Sequence, residues 1–389
     1  MLNHIKPINI VYSMTAVVSA HFSRFGKRSE SVLELAAESA LPIVRKSAKE
    51  IDLVIVSNSY SGEFNGISGI NNLVATYLSM DDVPSMRVDN TSGSGGTAVL
   101  AAHSIIRAGE ARTVLVVGVE KMSDRQTRDV TSIISSLLGE RERATGASLP
   151  SLAALLATIY MRKYSATRES LAQVAVKNHR NALLNPYAHI HKAVSLDEVL
   201  SSRTIIEPLR LYEISPISDG ATSLLLTSDE TAGSFTDKPV YIRGTGFASD
   251  SAFITSRNEL TSLESVRRAG AVALKRSGVN RPDFAELHDM ATVLELVEAE
   301  ALGLFKEGEA WKAVLSGGTD IGGEMPLNTS GGLNSKGHPI GASGVAQIGE
   351  VFLQLRNEAG QRQVKNAETG LALSMAGFGN SAAVTVLGV

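Results

Sequence analysis

Residues 327–350 read LNTSGGLNSKGHPIGASGVAQIGE, and their pattern decides the fold. The small residues Gly337-His338-Pro339-Ile340-Gly341-Ala342-Ser343-Gly344 make a turn, after which Val345, Ile348, Phe352 and Leu355 recur at helical spacing. Two apolar runs, GLALSMA at 370–376 and AAVTVLG at 382–388, then close the chain as strands. Working outward, a strand ending near Leu287 leads into a helix with Val293, Val297, Ala301 and Leu304 three or four residues apart. The first half repeats this order. Residues 7–14 and 52–57 read as strands buried on both faces, and Val32, Leu33, Leu35, Ala36 and Ile43 mark a helix over 30–48. The turn Thr91-Ser92-Gly93-Ser94-Gly95-Gly96 precedes a helix bearing Val99, Ala102, Ile105 and Ile106, and a strand follows at 113–119.

Two βα units with one pattern imply an internal duplication. The alternation of strand and helix implies an α/β protein whose helices cover mainly parallel sheets. Residues 120–215 break the pattern. They are richer in charge (Asp124, Arg125, Arg128, Asp129), carry helix-like pieces without regular strands, and read as a cap inserted into the first half. A strand at 218–228 resumes that half, and VYIRGTG at 240–246 opens the second. The expected division is therefore 1–235 and 236–389, with the cap at about 120–215.

At 389 residues the chain is too long for one typical core. Hydrophobic residues at 43% and charged residues at 20% place it among ordinary globular proteins. A net charge of −3 with no long run of one sign argues against a nucleic-acid or anionic-membrane surface. No apolar stretch approaches spanning length, and the start reads as a buried strand rather than a secretory leader. A soluble cytoplasmic protein is the expectation. The absence of cysteine excludes disulfides, thiolate metal sites and a cysteine nucleophile.

Three places could carry chemistry. Ser92 lies just before a helix, where backbone N–H groups and the positive helix end favour a nucleophile or an oxyanion; on local sequence alone a cap of that helix is the leading reading. His338, ahead of Pro339, is either a capping histidine or a base kept neutral by the helix end. His288 and Asp289 stand where a strand meets a helix, the end of an α/β sheet at which ligands bind. Asp289 reads as an N-cap, and His288 points into a site or a packed turn. His189-Ile190-His191 lacks a third ligand of suitable spacing, so no metal site is expected.

Together with GVEKMS (118–123), SPISDGATSLLL (215–226), ELHDMATVLELVEAEALGLF (286–305) and GFGNSAAVTVL (377–387), the 327–350 stretch resembles the thiolase superfamily, in its sterol-carrier-type and archaeal acetyl-CoA acetyltransferase branch. The resemblance implies two duplicated βαβαβαββ halves in five αβαβα layers with an inserted cap. It implies an acyltransferase using coenzyme A thioesters as substrate, without a covalently bound cofactor. It also implies a homodimer or homotetramer, with a synthase and a small zinc-ribbon/OB-fold protein as partners in archaeal members. By position, the nucleophile falls on Ser92, the histidines of the GHP and HDCF motifs fall on His338 and His288, and Gly377 offers an oxyanion-hole N–H. Every sulfur of the family pattern is replaced: Ser92 at the nucleophile, Met290 in HDCF and Met375 in CxG.

Methionine cannot exchange a proton, so the carbon–carbon bond-forming step has no evident base. A thiol has a pKa of about 8.5 and a hydroxyl one near water's, about 15.7. That gap of roughly seven units is on the order of 10 kcal/mol, against about 1–2 kcal/mol from a helix end. Ser92 therefore needs His338 as general base. Three readings stand: an acyltransferase using Ser92 and His338, a carbon–carbon lyase without an acyl-enzyme, and a non-catalytic binder of CoA esters or scaffold subunit.

Overall fold

The computed structural model describes residues 14–389. The strand expected at 7–14 lies outside them except for Met14, which is in no strand. The strands are β1 (Thr15–Phe22), β2 (Leu53–Ser57), β3 (Ser85–Val88), β4 (Thr113–Glu120), β5 (Thr204–Ile206) and β6 (Leu209–Arg210). They continue with β7 (Gly220–Ser228), β8 (Val240–Ser249), β9 (Phe284–Glu286), β10 (Thr369–Ala376) and β11 (Ser381–Gly388). Strand β3, half-exposed and short, has no signal in the apolar pattern.

The main sheet runs β3-β2-β4-β7-β1-β8-β11-β10-β9. Its first five strands belong to the first half and its last four to the second, joined where Ala16 and Val17 pair with Tyr241 and Val240. The sheet is mixed rather than mainly parallel. Among the described strands, β2 pairs in parallel with β3 and β4, and β10 with β9. The other pairs are antiparallel. The β10–β11 link explains part of this, because a tight turn can join only antiparallel neighbours.

The helices Ser94–Ala108 and Ile340–Leu355 form the middle layer. The second is buried nearly throughout, packing on β4, β7 and β10, and its one polar stripe, Ser343, Gln347, Glu350 and Gln354, finds hydrogen-bond partners inside the protein. Outside lie Val32–Ser47 against β7 and β4, and Glu264–Ser277 against β8 and β11. Ser31 fixes the start of the first through a capping box with Glu34. The middle helices thus touch strands of both halves and one outer helix covers each half, as the expected αβαβα layering requires.

The two middle helices touch backbone to backbone. A Cβ on Gly95 would lie 2.5 Å from Val345 N and 2.7 Å from Gly344 Cα. Glycine is required there for approach.

The insertion carries the helices Thr127–Ser135, Glu140–Ala144, Leu149–Tyr164, Arg168–Ala182 and Leu196–Ser201. It also holds the two-stranded β5–β6 ribbon, which the expectation of strand-free structure missed. Its Arg168–Ala182 helix is bolted to the second half: Lys177 Nζ donates to Glu295 at 2.5 Å and Asn178 Nδ2 to Asp289 at 2.8 Å. Among the described residues, no helix is long and apolar enough to cross a membrane.

Candidate active site

Ser92 sits in the turn between β3 and the Ser94–Ala108 helix. It is not the cap of that helix: the N-cap is Gly93, and Ser94 supplies the hydroxyl that accepts from Asn90 N at 2.8 Å. The turn is held from several sides. Thr91 adopts φ 46°, rare for a β-branched residue. Its carbonyl accepts from Ser59 Oγ (2.8 Å) and Ser94 Oγ (2.6 Å), and its N–H donates to Asp89 at 3.0 Å. Backbone strain of this kind persists where the surroundings over-determine it, as they do here. Ser92 Oγ itself makes no hydrogen bond to His338 or to any other described residue.

His338 follows a π-helical turn, Gly332–Lys336, and stands one residue before the N-cap, Pro339. It therefore does not cap the Ile340–Leu355 helix. Gly331, Gly332 and Gly337 have φ of 102°, 61° and 109°, which only glycine adopts freely. The ring's tautomer follows from its neighbour. Ser343 Oγ donates to Pro339 O at 2.9 Å and lies 2.7 Å from His338 Nδ1. With the hydroxyl proton committed, Nδ1 carries the ring proton and Nε2 keeps its lone pair. Burial, then the Lys336 cation, push the ring's pKa down to about 3.

His288 follows β9 and is fully buried, its ring 5.0 Å from that of His338 at 88°. Its backbone N–H donates to Glu298 at 2.8 Å, and neither ring nitrogen has a protein partner. Burial, His338 and Lys336 hold its pKa well below the usual range. The pair is thus two neutral imidazoles, edge to face. Asp289 is not an N-cap; Ala291 caps the Thr292–Ala301 helix. Its carboxylate accepts instead from Leu333 N (2.7 Å), Asn334 N (3.4 Å) and Asn178 Nδ2 (2.8 Å), stapling the turn ahead of His338.

Ser92, His338 and Met290 line one cavity of about 590 Å³ between the middle layer and the insertion. Its walls are mainly apolar, with Val130, Ile134, Leu149 and Ile217 among them. Exposed Lys27, Arg125 and Arg203 stand at its edge, and no carboxylate of the described residues lines it. His288 lies behind His338 rather than on the wall. Met375 is fully buried in the core of the second half, and Gly377, at φ 56°, forms the turn after β10. Neither lines the cavity. Two histidines of the insertion do, His179 and His189. Nothing in their local sequence signals this, since His189-Ile190-His191 stands out only as a pair without a third metal ligand. Among the described residues no cluster of three His, Cys, Asp or Glu side chains is placed to hold a metal.

Comparison with known proteins identifies the family to which this fold belongs. Residues 10–230 match the family described as "Thiolase, N-terminal domain", and residues 246–389 match "Thiolase C-terminal domain-like". The acetyl-CoA acetyltransferase of Methanothermobacter thermautotrophicus is 35% identical over 95% of this chain and 98% of its own length. Sterol carrier protein 2 of Oryctolagus cuniculus is 35% identical over 79% of this chain and 59% of its own length. Among solved structures, the Ltp2-ChsH2(DUF35) aldolase superposes with a TM-score of 0.83 at 26% identity, covering 97% of this chain and 98% of that one. With both family halves matched in order, and a relative aligned almost end to end, this chain belongs to the thiolase family.

Proposed function

We propose that the protein is an acyltransferase acting on coenzyme A thioesters, in which Ser92 receives the acyl group and His338 takes the serine proton. The observation that carries this reading is the placement of Ser92 and the proton-free Nε2 of His338 on one apolar cavity with a cationic edge. The cations suit the phosphates of coenzyme A, and the apolar walls suit its arm and the acyl chain. As Ser92 Oγ attacks the thioester carbonyl, its proton passes to His338 Nε2 and then to the departing CoA sulfur. His288 packs its ring against His338 from behind. The product is an oxoester, a poorer acyl donor than a thioester, so return of the acyl group to CoA is slow.

Incubation with acyl-CoA should add the mass of the acyl group to the intact chain, and Ser92→Ala should remove that adduct. Absence of an adduct with short and long acyl-CoAs alike would exclude the covalent route.

A second reading is favoured by one specific observation: Ser92 Oγ is not hydrogen-bonded to His338. In a carbon–carbon lyase no acyl-serine forms, and the histidines act on the substrate directly. The likeness to an aldolase supports it. Under this reading Ser92→Ala leaves turnover largely intact. Assembly with a second protein belongs to either version, by analogy with that two-component aldolase. Calorimetry with CoA, acetyl-CoA and acetoacetyl-CoA separates both from a non-catalytic binder, which would bind without turnover.

A further inference from the structure

We propose that His189 is the acid–base group that moves the α-proton of the acyl-CoA, the task left without a thiol by Met290 and Met375. This rests on the thioester reading above. His189 lines the same cavity as Ser92 and His338. Its Nδ1 lies 2.9 Å from Ser218 Oγ, and that hydroxyl donates to Pro216 O at 3.1 Å. Ser218 also accepts the backbone N–H of His338 at 3.3 Å. With the hydroxyl proton directed to Pro216 O, His189 Nδ1 is the donor and Nε2 is left as a lone pair. This repeats the device at His338, where Ser343 and Pro339 O play the same parts. Two histidines on one cavity are thus both set with a basic Nε2.

The position of His189 is built rather than incidental. His189 N donates to Lys336 O at 2.8 Å and Ile190 N to Ser335 O at 3.1 Å, so the insertion is strapped to the turn that carries His338. Gly337 leaves room for this: a Cβ there would meet Ser218 Oγ at 2.7 Å and His189 Cβ at 3.2 Å. Burial, with Lys27 and Arg24 nearby, keeps the free ring neutral, while Asp219 opposes them and steadies the imidazolium once formed. His179, the other insertion histidine on the wall, is fully buried against Tyr212, its Nδ1 donating to Lys192 O. His189 is only partly buried, so a proton it takes can exchange with water.

In the step proposed, the α C–H bond breaks and its electron pair becomes the enolate, with the charge on the thioester oxygen. The proton goes to His189 Nε2 and returns from there, or the enolate attacks a second carbonyl. In D2O the cycle replaces α-hydrogen by deuterium, which NMR of butyryl-CoA reads without any net reaction. The wild-type protein should catalyse this exchange. His189→Gln should lower it by about 10²–10⁴-fold in a protein that still binds butyryl-CoA by calorimetry. His189→Asn, which keeps a donor toward Ser218, carries the same expectation should the glutamine variant not fold. Exchange within threefold of wild type in a folded His189 variant overturns the proposal. Wild-type protein that binds butyryl-CoA without exchanging it also overturns the proposal while leaving the thioester reading in place. Failure to bind any acyl-CoA removes that reading, and the role of His189 with it.

Discussion

At His338 the ring's charge state is decided by burial first and by the Lys336 cation second, both favouring the neutral imidazole. Its ring signals should therefore show no titration between pH 4.5 and 8 by NMR, and a midpoint near 6.5 would contradict the buried placement. Lys336→Met removes the cation, so the midpoint should rise. The linkage has a definite sign. In the unfolded chain the ring takes a proton near pH 6.5, but in the folded chain only near pH 3. Its share of stability is complete above about 6.5 and is lost as pH falls toward 3, by up to about 1.4 kcal/mol per pH unit. Ser343→Ala removes the partner that fixes the tautomer, and acyl transfer should slow by up to about tenfold, the worth of one hydrogen bond. The residues of this pair were legible in the sequence because turn glycines and a histidine before proline form a local signal. Asp289 was misread for the opposite reason. Its position before a helix fits a cap, but its partners, Leu333, Asn334 and Asn178, are far away in the chain.

At the scale of elements, the contact between the two middle helices sets the site. One helix follows Ser92, the other follows His338, and they meet at Gly95 and Gly344 with no room for a side chain. Gly95→Ala must push backbone against backbone, since no flexible side chain can yield. Overpacking of this kind costs about 1–3 kcal/mol, so calorimetry should show a lowered melting temperature, accompanied by loss of the acyl adduct. A variant as stable and active as wild type would show that the helices are not locked together. Helices and buried strands were readable because their apolar periodicity is local. Strand β3 and the β5–β6 ribbon were not, because edge and ribbon strands are short and half-exposed and leave no apolar run. The sheet's mixed direction was hidden as well, for strand direction depends on which elements become neighbours.

For the molecule as a whole, β3 is an edge strand among the described residues, with β2 beside it. Exposed Met86 lies on it, and exposed Leu73 and Tyr77 lie on the adjoining Ile70–Tyr77 helix. An uncovered apolar edge invites strand pairing with another chain. The resemblance implies a homodimer, and the prediction is that copies of the chain meet at this edge. Met86→Lys should then shift sedimentation from dimer to monomer, while a wild-type monomer at micromolar concentration would remove the dimer from the account. The insertion's general extent was legible from composition, yet its part in the cavity was not, because His179 and His189 reach the wall only through the tertiary packing of 168–191 on the second half.

Met375 has a historical consequence. It fills space in the core of the second half, fully enclosed, and exchange for the smaller cysteine would leave a void costing on the order of 2 kcal/mol or more. Ser92, on the cavity wall, differs from cysteine by a single atom and bears no such packing duty. A thiol could enter at position 92 at little packing cost, whereas at 375 the filled core resists one. Among near descendants of this sequence, serine and cysteine should interchange at 92 while 375 drifts only among bulky apolar residues.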